Sequence, residues 1–213
     1  WFSALGGFTR NAYGRFDVGG SSSGSAVSLS MNFAAVTIGT ETSGSLVYPS
    51  AQNSVFVLKP SFGMVSRDLI IPISDAYDTA GPMAKNAMDL AFLFDAMLGY
   101  DDTNSDKYLL DINKFKIKSF QQTYLQEKDY EGMKVAFIKT PYLRIGDKRF
   151  IKDFKRKFTE MGIEYIDLDY PEIDMNFDSM YSILLHGFRV GLNDYLGQTG
   201  STMSLEKILK FNE

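Results

Sequence analysis

Hydrophobic and polar positions follow two different periods along this chain. Asn86–Gly99 carries Ala87, Leu90, Ala91, Leu93, Phe94, Met97 and Leu98 at helical spacing and ends on Gly99, which predicts an amphipathic helix. Asp147–Met161 repeats that pattern with a basic polar face, and Phe177–Leu196 predicts a long helix, with a short one after Ser201. Short apolar runs bounded by turn residues predict buried strands at Ala35–Ile38 and Val55–Leu58, the second ended by Lys59-Pro60. Further strands are expected at Lys134–Ile138 and Ile163–Leu168. A helix rich in small residues is expected from Ser23 or Gly24 to about Phe33, and a short helical turn across Ser45–Asn53. Residues 1–20, Asp75–Gly81 and the acidic stretch Tyr100–Asp111 read as irregular chain. Strands alternating with helices predict an α/β fold, with no internal repeat and no clear linker.

Composition narrows the function classes. In 213 residues, 45% hydrophobic and 14% aromatic content is enough for a packed core. The net charge of −4 is scattered without a basic face, which argues against nucleic acid and anionic membranes as partners. No apolar run approaches the ~18 residues a membrane span needs. Cysteine is absent, so disulfides, a thiol nucleophile and thiolate metal sites are excluded. With His186 as the only histidine, a multi-histidine metal centre is excluded too, and no metal or cofactor is expected. The chain opens on Trp1, which predicts an internal or processed piece whose upstream targeting signal lies out of view, with the cytoplasm as the default compartment.

The chemistry concentrates in two Gly/Ser loops, Gly19–Ser25 and Gly39–Ser45. Gly19–Ser25 precedes a helix and could cradle an anion, but it lacks the Lys-Ser/Thr ending of a P-loop and dinucleotide Gly-x-Gly-x-x-Gly spacing. Gly20-Ser21-Ser22-Ser23-Gly24 also matches Gly-x-Ser-x-Gly, making Ser22 the nucleophile of an α/β-hydrolase esterase with His186 as base. His186 falls inside a helical stretch, however, where an ordinary helix histidine is the better reading. Ser204 and Lys207 form a Ser-x-x-Lys pair better read as a helix cap. Lys59 reads as a strand-end residue, and Asp101, Asp102 and Asp106 as a solvated loop before a cation site.

Taken together, the two loops resemble the amidase signature family. The resemblance runs in order through Gly7–Tyr13, Gly19–Ser25, Gly39–Ser45 and Pro49-Ser50-Ala51, then Leu58–Arg67, Ile71-Pro72 and Asp78–Ala84. It covers residues 1–100 as a signature core, with 101–213 a variable later portion of one partial domain. The resemblance implies a mixed β-sheet flanked by helices on both faces, incomplete in this chain. The Gly-Ser-Ser-Ser-Gly-Ser and Thr-Glu-Thr-x-Gly-Ser forms are similar to members that cleave peptide amides and small linear amides.

The same resemblance implies a mechanism. Ser45 matches the nucleophile that attacks the amide carbonyl, and Ser21, 24 residues earlier, matches a serine on a cis peptide bond that relays its proton to a neutral lysine. The backbone N–H groups of Thr42, Ser43, Gly44 and Ser45 match the oxyanion hole. The lysine belongs upstream of the residues present, which predicts little activity for this piece alone. Ser43 stands where many members have Gly, and Val47 where many have Arg, which leans the substrate towards neutral or apolar amides. The partner expected is a small-molecule or peptide amide. A non-catalytic remnant that binds a ligand, or another chain through exposed sheet edges, is the alternative from outside enzymology.

Overall fold

The computed structural model describes residues 1–99, 106–111, 114, 119–126, 130–139, 145–169 and 177–212. The chain divides into two compact units, Trp1–Leu125 with Phe177–Glu213, and Gln126–Asn176. In the first unit, Phe2–Ser3 (β1) and Gly7–Phe8 (β2) form a small antiparallel pair. Ser23–Ser30 (α1) follows, then Val36–Glu41 (β3), Val47–Gln52 (α2) and Phe56–Val57 (β4). Thr79–Ala84 (β5) inserts between β3 and β4, antiparallel to both, in the register Val36↔Ala84 to Glu41↔Thr79.

Every residue of β5 is buried, which corrects the loop expected through Gly81. A Cβ on Gly81 would lie 2.3 Å from the Leu58 carbonyl oxygen, so the central strand tolerates no side chain there. Pro82 has no N–H to donate, but its carbonyl accepts the Leu58 N–H at 3.1 Å. Alternation places Ala80 and Met83 on opposite faces of β5. Met83 packs with Ala26 and Leu29 of α1 and with Leu46. Ala80 packs with Val65 and with Phe94 of Ala87–Met97 (α3). The sheet is therefore covered by helices on both faces, an α/β arrangement.

α1 stops three residues short of Phe33, where Asn32 turns through φ 63°. Its small residues do bring it close to the sheet, since the Ser25 hydroxyl donates to the Ile38 carbonyl at 2.8 Å. Val36 and Ile38, expected to be buried, are 36% and 50% exposed. Among the described residues β3 lies at the edge of its sheet, and α3 centres on β5.

The polarity pattern locates α3 well. The Asn86 side chain caps it, accepting the Asp89 N–H at 2.8 Å. Asp95 on α3 then caps Phe120–Leu125 (α4), a helix without a sequence expectation, accepting the Ser119 hydroxyl and the N–H groups of Phe120 and Gln121. Phe177–Gln198 (α6) and Leu205–Asn212 (α7) complete this unit. The second unit is a β-α-β element: Lys134–Lys139 (β6) runs parallel to Glu164–Asp169 (β7), connected through Ile145–Glu160 (α5). Among the described residues no helix is long and apolar enough to cross a membrane, and no group of three potential metal ligands occurs.

Candidate active site

The two Gly/Ser loops meet in space. The Ser22 hydroxyl donates to the Thr40 carbonyl at 3.0 Å and accepts the Thr40 N–H at 3.1 Å. The Ser22 N–H donates to the Ser45 carbonyl at 3.2 Å. A Cβ on Gly39 would lie 2.7 Å from the Ser22 oxygen and from Leu46, so this contact needs glycine in β3. The Gly20–Ser21 peptide bond is cis. Just before it, the Asp17 carboxylate accepts the Tyr48 hydroxyl and, at 2.9 Å, the Gly19 N–H. Those bonds, the Tyr48 one foremost, hold Asp17 below the usual carboxylate pKa.

Beyond β3 the chain turns through Thr42–Ser45 into α2. Glu41 is buried, and its Oε2 accepts the N–H groups of Leu46 at 2.8 Å and Val47 at 3.0 Å. A negative charge at the start of a helix complements its orphan N–H groups. The N–H groups of Thr42, Ser43, Gly44 and Ser45, by contrast, meet no protein acceptor among the described residues. Gly44 sits at φ 89°, a conformation that L side chains rarely adopt. Ser45 is half-buried and Ser21 exposed.

Ser21, Thr40 and Thr42 line a cleft of about 400 Å³ within the first unit. Leu69–Ile73 form an aliphatic stretch of its wall, and Asp194 and Tyr195 of α6 line it as well. Asp78 joins two parts of this cleft. Its Oδ1 accepts the Thr42 hydroxyl at 2.5 Å, and its Oδ2 accepts the N–H groups of Ile73 at 2.7 Å and Ser74 at 2.8 Å. Arg67 backs the same wall, donating to the Asp75 carbonyl at 2.9 Å and to both Asp106 oxygens at 2.9 and 3.0 Å. Burial opposes the Arg67 charge, but the Asp106 hydrogen bond and charge outweigh it and raise its pKa. Burial likewise pushes the Asp106 carboxyl up, but hydrogen bonds from Arg67 and the Tyr108 N–H, with the Arg67 charge, bring it below the usual carboxylate range.

The sequence candidates separate clearly in this geometry. Ser21 and Thr42 line the cleft and Ser43–Ser45 continue the chain from Thr42, whereas the Ser22 hydroxyl is already committed in both directions to Thr40. His186 lies in a separate shallow depression with Ser74, Asp75 and Ser182. The Ser204 hydroxyl accepts the Lys207 N–H at the start of α7, as a cap does. Lys59 is exposed and donates to the adjacent Pro60 carbonyl at 3.3 Å. Asp106 is not a solvated loop residue: its side chain is 4% exposed and pairs with Arg67. Asp101 and Asp102 lie outside the described residues. Sequence reasoning missed Glu41, Arg67 and Asp78, whose partners lie up to 39 residues away.

Comparison with known proteins identifies the family. A family model described as Amidase matches residues 3–213. The chain belongs to the amidase family. A probable amidase of Arabidopsis thaliana is 34% identical over 200 residues, covering 91% of this chain and 38% of that protein. The crystal structure of native peptide amidase from Stenotrophomonas maltophilia superimposes with a TM-score of 0.87 at 35% identity, over 99% of this chain and 43% of that one. An amidase family protein from Bacillus anthracis gives 0.79 at 34% identity, over 97% and 41%. The chain thus spans about two-fifths of the length of these amidases, and shares their fold across that span.

Proposed function

We propose that the protein carrying this chain hydrolyses carbon–nitrogen amide bonds, with Ser45 as nucleophile. One observation carries the reading: four consecutive N–H groups, Thr42 to Ser45, have no protein acceptor among the described residues, in a segment whose first residue lines a cleft with Ser21. Ser43 is exposed and Thr42, Gly44 and Ser45 are half-buried, so the row is open to a ligand and suited to a charge that develops on a bound carbonyl oxygen. Glu41 and Asp78 hold the two ends of the row, which keeps the donors preorganised.

In this mechanism the Ser45 oxygen attacks the amide carbon, and the carbonyl electrons move onto the oxygen facing the N–H row. The Ser45 proton passes to the Ser21 oxygen as the Ser21 proton passes to the base, a lysine by the family resemblance. Collapse of the intermediate breaks the C–N bond, and the same relay returns the proton to the departing amine. Water then releases the acyl group from Ser45. Lys107, which lines the cleft, is 69% exposed at its side chain and lies 3.8 Å from Asp75, unlike the desolvated amine a general base requires. The substrate class is a neutral or apolar amide, small or peptidic, and the aliphatic wall Leu69–Ile73 suits it.

The test is labelling of the protein with a fluorophosphonate, followed by peptide mapping. An adduct on Ser45, together with loss of amide turnover in Ser45→Ala, is expected. An adduct on Ser22, or turnover retained in Ser45→Ala, refutes the assignment.

A further inference from the structure

We infer that Asp78 is a positioning residue that fixes the Thr42 end of the donor row through the Thr42 hydroxyl, an inference that rests on the function proposed above. The row is anchored at its far end twice, by the Glu41 carboxylate on Leu46 and Val47 and by the Ser45 carbonyl on Ser22. At its near end β3 stops at Glu41, paired with Thr79, and the backbone ladder offers nothing further. The side-chain anchor there is the bond from the Thr42 hydroxyl to Asp78 Oδ1.

Asp78 is itself immobilised. Its other oxygen holds the N–H groups of Ile73 and Ser74, and its carbonyl accepts Arg67 Nη1 at 3.4 Å. Arg67 in turn is clamped by Asp106. Both carboxylate oxygens of Asp78 are therefore engaged by the protein, so the residue acts through Thr42 and not by holding substrate. Ile73 and Asp78 also line the cleft, so one carboxylate ties the substrate wall to the donor row. Misplacing a donor by a fraction of an ångström weakens it for the transition state more than for the ground state, because the charge it meets develops only there.

The experiment measures kcat and KM for amide hydrolysis by the full-length protein, with Thr42→Val, Thr42→Ser, Asp78→Ala and the Thr42→Val/Asp78→Ala double variant. Thr42→Val and Asp78→Ala are each expected to lower kcat about tenfold to a hundredfold, with KM changed less than about threefold. The double variant should fall no more than about threefold below the worse single one, and Thr42→Ser should recover most of the Thr42→Val loss. Losses that multiply, a kcat within about threefold of wild type in Thr42→Val, or an effect carried by KM, overturn the inference. Should Asp78→Ala fail to fold, the Thr42→Val and Thr42→Ser pair decides alone, since that hydroxyl donates to Asp78. Ser45→Ala separates the two claims: turnover surviving in it removes the proposed function, whereas dead Ser45→Ala with unimpaired Thr42→Val removes only the role of Asp78.

Discussion

Replacing Glu41 with alanine tests whether the turn after β3 is held by a buried carboxylate. Glu41 is 8% exposed, and one of its oxygens accepts two backbone N–H groups, from Leu46 at 2.8 Å and Val47 at 3.0 Å. Leu46 is fully buried, so its N–H cannot recover a water when the carboxylate is removed. That orphaned donor should cost about 2–3 kcal/mol. Val47 is exposed and can be rehydrated, so its bond contributes only about 1 kcal/mol. The expected destabilisation is about 3–4 kcal/mol, whereas Glu41→Gln, which keeps an acceptor oxygen and loses only the charge, should cost about 1 kcal/mol. Urea unfolding followed by far-UV circular dichroism measures both. Glu41→Ala within about 0.5 kcal/mol of wild type, or Glu41→Gln as damaging as Glu41→Ala, would refute the reasoning.

Three further outcomes follow from the packing and the charges. Phe94→Ala empties a site that is 1% exposed and in edge contact with Phe120, and should lower unfolding free energy by about 3–5 kcal/mol in the same assay. Gly81→Ala places a methyl 2.3 Å from the Leu58 carbonyl and should disrupt β5, read as loss of soluble folded protein, while alanine at exposed Gly24, where nothing lies within 4 Å, should not. Asp95 and Asp106 have depressed pKa values in the folded state: burial opposes their charge, but hydrogen bonds from Ser119 and Arg67 respectively, with backbone N–H groups, prevail. A depressed carboxyl stabilises the fold fully above its unfolded pKa, so stability should decline as pH falls below about 4. Asp106→Asn should flatten that decline in a pH series of urea midpoints.

Much of the helical structure was legible because amphipathic spacing is a local signal. α3 carries its own cap in Asn86 and its own apolar stripe, so its limits follow from residues within a few positions. β5 was not legible, because Gly81 and Pro82 are residues that ordinarily argue against a central strand. Their presence follows from the close approach of Leu58, which comes from a segment more than 20 residues earlier. Burial of Val36 and Ile38 was overestimated for a related reason: apolarity marks a strand without saying whether it lies at an edge. Ser21, Thr42, Ser43, Gly44 and Ser45 could be singled out by motif, and of these Ser21 and Thr42 line the cleft. Glu41, Arg67 and Asp78 could not, since an acidic or basic side chain announces its charge but not its partner.

The strand order β3-β5-β4 carries a consequence for biosynthesis. Thr42 leaves the ribosome 37 residues before Thr79, the residue opposite the end of β3. At the usual ~5–20 residues per second, the nascent segment from Thr42 waits about 2–7 seconds for its central neighbour. During that interval β3, and β4 once it is made, lack the strand each pairs with, and their backbone N–H and C=O groups have no ladder partner. Chaperone capture or premature cleavage should therefore fall most heavily on translation intermediates that end before Thr79.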